Sequence, residues 1–339
     1  MVQIPSKVPS LMIPFIENKQ VNWDQIQDSL RLSAEANHWT NFGPVSQRLE
    51  ERLAEILQIP ADRTIVLCNN GTSAVFVLVK IQNYLTGSPL TWNVSSFSFH
   101  CLRQGPLLES KISDCDERGI LDATEHSYVV VTNPFGVADN LDKIRSKVRC
   151  LICDSGSAFD ALRCHDVDEA MSLHHTKPWG FGEGGCMIVK KEHERFAKAL
   201  LNFGIRTKPI LGIKAYGSNY KMSDIAAAFI LQRLDRIDEI RKNYQEQYER
   251  IVALSDKFGF RTMIDRKISH IPFCVPLLHD QEISVVDNEV FKVHKYYQPF
   301  LPTPNADRIY RHILCCPCHA DMARLSDNQI ERVLSLHVN

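Results

Sequence analysis

Short apolar runs alternate with amphipathic stretches along the first two thirds of the chain. The runs at residues 64–68, 127–132 and 148–153 are rich in β-branched side chains and predict buried strands. The stretches around them carry apolar residues at helical spacing and predict helices. Strands that alternate with helices in this way indicate an α/β fold with a doubly wound, mostly parallel sheet.

Along the whole chain, the pattern predicts further strands at residues 185–190, 269–278 and 313–316, and helices at residues 22–36, 45–57, 74–84, 139–147, 192–201, 223–254 and 326–337. The last third of the chain has a different pattern from the first two thirds. The strands and the closing helix after residue 236 predict a compact second unit. We therefore expect a large domain at residues 1–235, with an N-terminal helical segment, and a small C-terminal domain at residues 236–339.

Composition and charge narrow the possible functions. The chain has 339 residues, and its 39 Lys and Arg nearly balance its 40 Asp and Glu, which disfavours nucleic acid as a partner. It shows neither an apolar run long enough to span a bilayer nor a signal-peptide pattern, so we expect a cytoplasmic protein with no membrane contact. The 11 cysteines are scattered and odd in number, as is typical of reduced, buried thiols.

A candidate anion site follows the first predicted strand. Gly71, Thr72 and Ser73 open the next helix, where a glycine permits close approach of a ligand and hydroxyls and free amides can hold a phosphate. The same residues also suit an ordinary turn with a helix cap, and on their own they favour that reading.

An acid and a lysine complete the candidate chemistry. Asp154 ends a predicted strand, where it could pair with the protonated pyridine nitrogen of pyridoxal phosphate (PLP) or could simply cap a turn. Lys177 lies between Ser172 and a glycine-rich turn, a context that places a lysine in a cleft rather than in solvent. A lysine whose pKa is lowered by desolvation can condense with an aldehyde cofactor.

Several blocks in this order resemble the DegT/DnrJ sugar aminotransferases. They are Asn69-Asn70-Gly71-Thr72-Ser73-Ala74, Cys153-Asp154-Ser155-Gly156-Ser157-Ala158, Ser172-Leu173-His174-His175-Thr176-Lys177 with Gly182-Glu183-Gly184-Gly185, and Gly217-Ser218-Asn219-Tyr220-Lys221-Met222-Ser223-Asp224. The resemblance extends to Trp39-Thr40-Asn41-Phe42-Gly43-Pro44 and Lys295-Tyr296-Tyr297-Gln298-Pro299-Phe300. It implies the aspartate-aminotransferase-like (type I) fold with PLP as cofactor.

The resemblance also implies catalytic roles. Lys177 would carry the cofactor and then move a proton between the substrate carbon and the cofactor carbon, and Asp154 would pair with the pyridine nitrogen. Thr72, Ser73 and Ser172 would hold the phosphate beside Gly71.

Four further residues receive roles by the same resemblance. Phe97 falls where the family stacks an aromatic ring on the cofactor, although a core position is equally consistent with its apolar surroundings. His174 would line the cofactor side of the cleft, or would lie just outside it and form hydrogen bonds to the residues that contact the cofactor. Asn219 would reach the phosphate of a neighbouring subunit, which implies a homodimer with shared sites. Ser157 stands where the family usually carries Gln or His beside the ring hydroxyl, and so departs from its pattern.

Other departures lie around the predicted substrate pocket. Asn133-Pro134-Phe135-Gly136 replaces a loop that usually contains His, the spacing from Asp154 to Lys177 is short, and residues 278–296 are too few for the usual helix. These differences bear on the identity of the sugar more than on the cofactor chemistry.

The implied reaction is a transamination. An amino donor, L-glutamate by analogy, would leave its nitrogen on the cofactor and depart as 2-oxoglutarate, and a nucleotide-linked keto-sugar would receive that nitrogen. A deoxythymidine- or uridine-linked 4-keto-6-deoxy sugar is the expected acceptor. The alternatives are a sugar dehydratase of the same fold, in which family members replace the lysine with histidine, and a catalytically silent paralogue.

One rival site needs separate weighing. Cys315, Cys316 and Cys318, with His312 and His319, include a Cys-x-x-Cys spacing that could bind zinc or form a redox pair. No second pair accompanies it in the sequence, so we favour a packed strand and expect no metal.

Overall fold

A central sheet dominates the computed structural model, which describes residues 12–136, 141–159, 167–205 and 216–338. The strands of the described residues are β1 Arg63–Cys68, β2 Trp92–Ser95, β3 Lys111–Ser113, β4 Tyr128–Thr132, β5 Cys150–Asp154, β6 Ala158–Phe159, β7 Asp168–Ser172, β8 Gly185–Lys190, β9 Arg261–Thr262, β10 Ile271–Pro272, β11 Val275–Leu278 and β12 Ile313–Cys316. Seven of them form the central sheet in the order β1-β8-β7-β5-β4-β2-β3.

The direction of the strands brings functional segments to one edge. Neighbours from β3 to β7 run parallel, whereas β8 runs antiparallel to both β7 and β1. Gly185 at the start of β8 therefore lies opposite Ser172 at the end of β7 and Cys68 at the end of β1. The predicted α/β fold with a mainly parallel sheet is confirmed, and the carboxyl ends of β1, β5 and β7 share the edge where such sheets bind ligands.

Helices cover both faces of the sheet. They are α1 Trp23–Glu35, α2 Pro44–Ile56, α3 Gly71–Leu85, α4 Leu141–Arg145, α5 Lys191–Leu201, α6 Asp224–Leu234, α7 Ile237–Ser255, α8 Pro304–His312 and α9 Asp327–Ser335. Along β4, Val129 and Val131 pack into one core and Val130 into the other, because successive side chains of a strand point to opposite faces. Burial on both faces explains why these strands read as continuous apolar runs.

The C-terminal part has its own small sheet. Strands β9, β11 and β12 pair antiparallel in the order β12-β11-β9, with α7 packed against them. The predicted boundary at residue 236 falls directly before α7, and the division into two domains stays a prediction. Ile13 exchanges backbone hydrogen bonds with Val290 and Lys292 at 2.8 and 2.9 Å, which join the N-terminal segment to the C-terminal part of the chain.

The elements differ from the predicted ones in three ways. The helix predicted over residues 223–254 is two helices, α6 and α7, separated at Asp235 and Arg236. The strand predicted at residues 269–278 is two short strands, β10 and β11. Strands β2, β3, β6, β7 and β9 and helix α8 were not predicted, because they are short or contain polar residues that interrupt the apolar pattern.

Across the described ranges, no helix combines the length and apolar character needed to cross a bilayer.

Candidate active site

A cavity of about 440 Å³ opens at the carboxyl edge of the central sheet. Its size suits a small cofactor with part of a substrate. Seven of the predicted site residues line it, namely Gly71, Thr72, Asp154, Ser157, Ser172, His174 and Lys177. They come from three separate segments of the chain, which the strand order brings together.

Asp154 is the last residue of β5 and is buried. Its carboxylate accepts a hydrogen bond from the backbone N–H of Gly156 at 3.1 Å. Burial raises the pKa of this carboxyl group, and the Gly156 hydrogen bond and the nearby charge of Lys177 oppose that rise. The acid is thus desolvated and faces a cation in the same cavity.

Lys177 lies in the loop between β7 and β8. Its ammonium nitrogen lies 4.2 Å from the centre of the Phe273 ring, which also lines the cavity. Burial lowers the pKa of Lys177 to about 8, and the Asp154 carboxylate is the strongest influence in the opposite direction. A cavity therefore holds an amine that loses its proton much more easily than an ordinary lysine.

The N-terminus of α3 lies at the same cavity wall. The Asn70 side chain caps the helix by accepting from the N–H of Ser73 at 2.9 Å, while Gly71 and Thr72 line the cavity. A Cβ atom on Gly71 would come within 3.0 Å of the Ser172 side chain, so glycine permits this close approach. Helix amides, a threonine and a serine together suit a phosphate.

The His174 ring has two polar neighbours at the cavity, one hydroxyl group and one carboxylate. Its Nδ1 lies 3.0 Å from the Thr176 hydroxyl, and its Nε2 lies 3.4 Å from the Glu183 carboxylate. Both neighbours also line the cavity.

Ser157 meets a tyrosine from the C-terminal part of the chain. Its hydroxyl is hydrogen-bonded to the hydroxyl of Tyr297, and both residues line the cavity. Phe135 stacks on the Tyr297 ring with centroids 5.6 Å apart. The predicted departure at Ser157 is thus accompanied by a second hydroxyl at the same point of the cavity wall.

The structure differs from the prediction at Phe97. This side chain is fully buried and does not line the cavity, whereas Phe99, two residues later, is 53% exposed and does. Phe97 packs where Gly119 leaves room, because a Cβ atom on Gly119 would lie 2.8 Å from the Phe97 ring. The apolar segment offered two rings, and the sequence pattern alone did not separate them.

Two other predicted residues lie off the cavity of their own chain. Ser73 is buried under the Asn70 cap. Asn219 is exposed, and its side-chain oxygen accepts a hydrogen bond from Lys221 at 2.6 Å. The role of Asn219 at the phosphate of a neighbouring subunit stays a prediction.

Several lining residues were not predicted. They are Ile16, Asn70, Phe99, Cys101, Thr132, Gly156, Thr176, Glu183, Phe273, Tyr296 and Tyr297. Tyr296 and Tyr297 belong to a block that resembles the family, which was the available signal. Ile16 and Phe273 are apolar residues without a distinguishing pattern, and only the fold brings them to the site.

The cysteine-rich segment forms a packed strand. Cys315 and Cys316 lie in β12, pair with β11 and are buried, and Cys318 is buried beside them. Among the residues that the structure describes, no group of three or more His, Cys, Asp or Glu side chains is arranged to hold a metal ion.

The cavity fits PLP on its own geometry. An amine with a lowered pKa, a buried carboxylate and a helix N-terminus with hydroxyls match the aldehyde, the pyridine nitrogen and the phosphate of that cofactor. Fold and site together define a PLP-dependent transaminase.

Comparison with known proteins identifies the particular family. The sequence model of the DegT/DnrJ/EryC1/StrS aminotransferase family matches residues 165–336, half of the chain, and the chain belongs to this family. It is 27% identical to the dTDP-4-amino-4,6-dideoxy-D-glucose transaminase of Shigella dysenteriae, over 88% of this chain and 90% of that protein.

Solved structures show the same fold. A putative PLP-dependent aminotransferase from Bacillus cereus matches with a TM-score of 0.77 and 18% identity, over 96% of this chain and 99% of that chain. DesI, solved in the presence of its TDP-sugar product, matches with a TM-score of 0.75 and 21% identity, over 94% of this chain and 90% of that chain.

Proposed function

We propose that this transaminase moves an amino group from L-glutamate to a nucleotide-linked 4-keto-6-deoxy sugar. Membership of the family supports the transfer of an amino group, and the names of the Shigella relative and of DesI support the class of acceptor. The observation that carries the proposal is the joint presence of Lys177 and Asp154 in one cavity. Homodimer formation, a cytoplasmic location and glutamate as donor are parts of the proposal that rest on the resemblance.

The chain's own residues would divide the chemistry between them. Bound PLP supplies an electron sink for the charge that develops at the substrate carbon. Lys177, with a pKa of about 8, takes the proton from that carbon and returns it, because its amine exchanges protons easily near neutral pH. Asp154 keeps a negative charge against the pyridine nitrogen, in a buried position where water competes little.

Other residues would bind and orient the cofactor. Gly71, Thr72 and Ser172 surround the phosphate at the start of α3. Phe99, rather than Phe97, provides the aromatic face beside the cofactor. The exposed Asn219 of one subunit would reach the phosphate site of the other.

The proposal is tested first by trapping the cofactor. Purified protein is incubated with PLP, reduced with borohydride and digested, and the modified peptide is identified by mass spectrometry. We expect the label on Lys177, with the Lys177→Ala variant unlabelled and the exposed Lys242→Met variant labelled like the parent. A label spread over surface lysines would contradict the proposed role of Lys177.

The substrate class is tested second. The protein is incubated with glutamate and a panel of keto-sugars linked to thymidine or uridine diphosphate, and 2-oxoglutarate and the amino-sugar are measured. Formation of both in equal amounts supports transamination, and loss of a sugar hydroxyl without 2-oxoglutarate would indicate the dehydratase instead. If every sugar fails while simple keto acids exchange with glutamate, the proposed acceptor is wrong.

A further inference from the structure

The loop that carries Lys177 is held by a second, distant lysine. The ammonium group of Lys19 donates hydrogen bonds to the backbone carbonyls of His175 at 2.6 Å and Gly180 at 2.5 Å, and also to the carbonyl of Lys177 itself. Lys19 is buried and lies 158 residues before Lys177 in the sequence. All three of its donors are thus used on one loop.

Arg233 binds the same loop as Lys19. The Nε of Arg233 donates to the carbonyl of Pro178 at 2.7 Å, and its guanidinium forms an ion pair with Glu17. The Tyr244 hydroxyl donates to the same Glu17 carboxylate at 3.1 Å. Four backbone carbonyls between residues 175 and 180 therefore accept hydrogen bonds from the side chains of Lys19 and Arg233. The Glu17 carboxylate partly neutralises these two buried positive charges.

Burial makes this arrangement specific. A buried ammonium group without partners is strongly unfavourable, so Lys19 is stable here only while the carbonyls are presented to it in this geometry. The loop closes on itself as well, since the N–H of Gly180 donates to the carbonyl of Lys177 at 3.0 Å. Moving the Lys177 backbone would therefore disrupt two hydrogen bonds to a single carbonyl oxygen.

We propose that Lys19 is a positioning residue, which fixes the backbone of the Lys177 loop so that the Lys177 amine stays directed into the cofactor cavity. Lys19 does not line the cavity, and its hydrogen bonds go to backbone atoms only. It acts through Lys177 and has no contact with the reacting atoms. The inference rests on the proposed role of Lys177 as the residue that carries the cofactor.

The test compares Lys19→Met, which removes the donors at similar length, with Lys19→Gln and Lys19→Arg, which keep some of them. Lys242→Met, on an exposed part of α7, is the matched control. Hydrogen–deuterium exchange of residues 173–182 is measured in the cofactor-free protein. The rate at which PLP becomes trappable on Lys177 and the absorbance spectrum of the loaded protein are then recorded.

We expect Lys19→Met to speed amide exchange in this loop and to slow PLP attachment at Lys177 by about tenfold or more, with exchange in α7 unchanged. Lys19→Arg should restore part of both, and Lys242→Met should match the parent. If Lys19→Met does not fold, the Gln and Arg variants carry the comparison. Failure of all three to fold would make the role purely structural and overturn the proposal.

Two further outcomes separate the possible failures. A folded Lys19 variant that exchanges faster but attaches PLP at the parent rate, with the parent spectrum, would overturn the positioning role. A parent protein that never attaches PLP at Lys177 would instead overturn the proposed function, before any variant is compared.

Discussion

Burial shifts the pKa values of Lys177 and Asp154 in opposite directions, because it disfavours the charged form of each side chain. Burial lowers the pKa of Lys177 to about 8 and raises the pKa of Asp154, and each charge opposes the shift of the other. At a pKa of about 8, about a tenth of the amine is neutral at pH 7, against less than about a thousandth for an ordinary lysine. The site therefore keeps a usable nucleophile near neutral pH.

The first prediction concerns the pH dependence of this amine. In cofactor-free protein, labelling of Lys177 by an amine reagent should rise with pH and reach half its maximum near pH 8. Asp154→Asn should move this midpoint to lower pH, because the Asp154 carboxylate is the strongest influence opposing the effect of burial on the Lys177 pKa. Labelling is measured by peptide mass spectrometry, with exposed Lys242 as internal control. A midpoint above pH 10 would show that the amine is solvated.

The second prediction concerns the paired hydroxyls of Ser157 and Tyr297. Tyr297→Phe removes their hydrogen bond and leaves the Ser157 hydroxyl buried without this partner, so it should lower the free energy of unfolding by about 1 kcal/mol. Urea denaturation of cofactor-free protein measures the change. Tyr310→Phe, in a half-buried ring beside Lys295, should change the stability by less than about 0.5 kcal/mol. Equal effects of the two variants would contradict this account.

Single residues differ in how far the sequence predicts them. Lys177 was predicted from its place between Ser172 and a glycine-rich turn, and Asp154 from its place at the end of a predicted strand, each in a block that resembles the family. Lys19 was not, since its partners are backbone carbonyls, which every residue possesses, and they lie more than 150 residues away. Phe97 and Phe99 share one apolar segment, and the sequence does not show that Phe97 packs into the core against Gly119 while Phe99 lines the cavity.

At the scale of elements, one buried carboxylate joins three helices. Asp224, the first residue of α6, accepts from the Ser33 hydroxyl of α1 at 2.7 Å. It also accepts from the backbone N–H groups of Val45 and Ser46 in α2, at 3.0 and 3.1 Å. The residue before α2 is Gly43, which has no side chain to cap the helix, so Asp224 supplies that cap from 179 residues away.

The third prediction follows from this shared cap. Asp224→Ala leaves the α2 amides and two hydroxyls without their acceptor, and should lower the free energy of unfolding by about 3 kcal/mol. Asp238→Ala, which removes a carboxylate that is 88% exposed, should cost less than about 1 kcal/mol. Chemical denaturation compares the two. Similar losses would mean that the cap contributes little.

Elements were predictable where their residues repeat one pattern. β4 and β5 are apolar on both faces, and the sequence predicts their ends to within two residues. β7 was missed because it begins with Asp168 and Glu169, and the Asp168 carboxylate is buried against Arg63 at 2.6 Å. A charged residue whose partner lies in another strand has the sequence pattern of an exposed loop residue, because the sequence does not reveal the partner.

At the scale of the whole molecule, the segment at residues 13–19 joins the C-terminal part of the chain to the Lys177 loop. Besides the Ile13 pairing, the Nε2 of His319 lies 2.9 Å from the carbonyl of Pro14, which adjoins the segment that carries Glu17 and Lys19. Asn219, in contrast, is exposed and lies off the cavity of its own chain. Its proposed role at the phosphate therefore requires a second subunit.

The last prediction tests this requirement with mixed subunits. Lys177→Ala removes the amine, and Asn219→Asp places a negative charge of the same shape where the partner's phosphate would lie. In a homodimer with shared sites, a hybrid of the two variants has one site that combines a native Lys177 with a native Asn219. Random pairing of equal amounts should then restore about a quarter of the parent's sites, although each variant alone is inactive or weak. Borohydride-trapped PLP and amino transfer measure the recovery after co-refolding, and activity no greater than the mean of the two separate variants would show that each subunit builds its site alone.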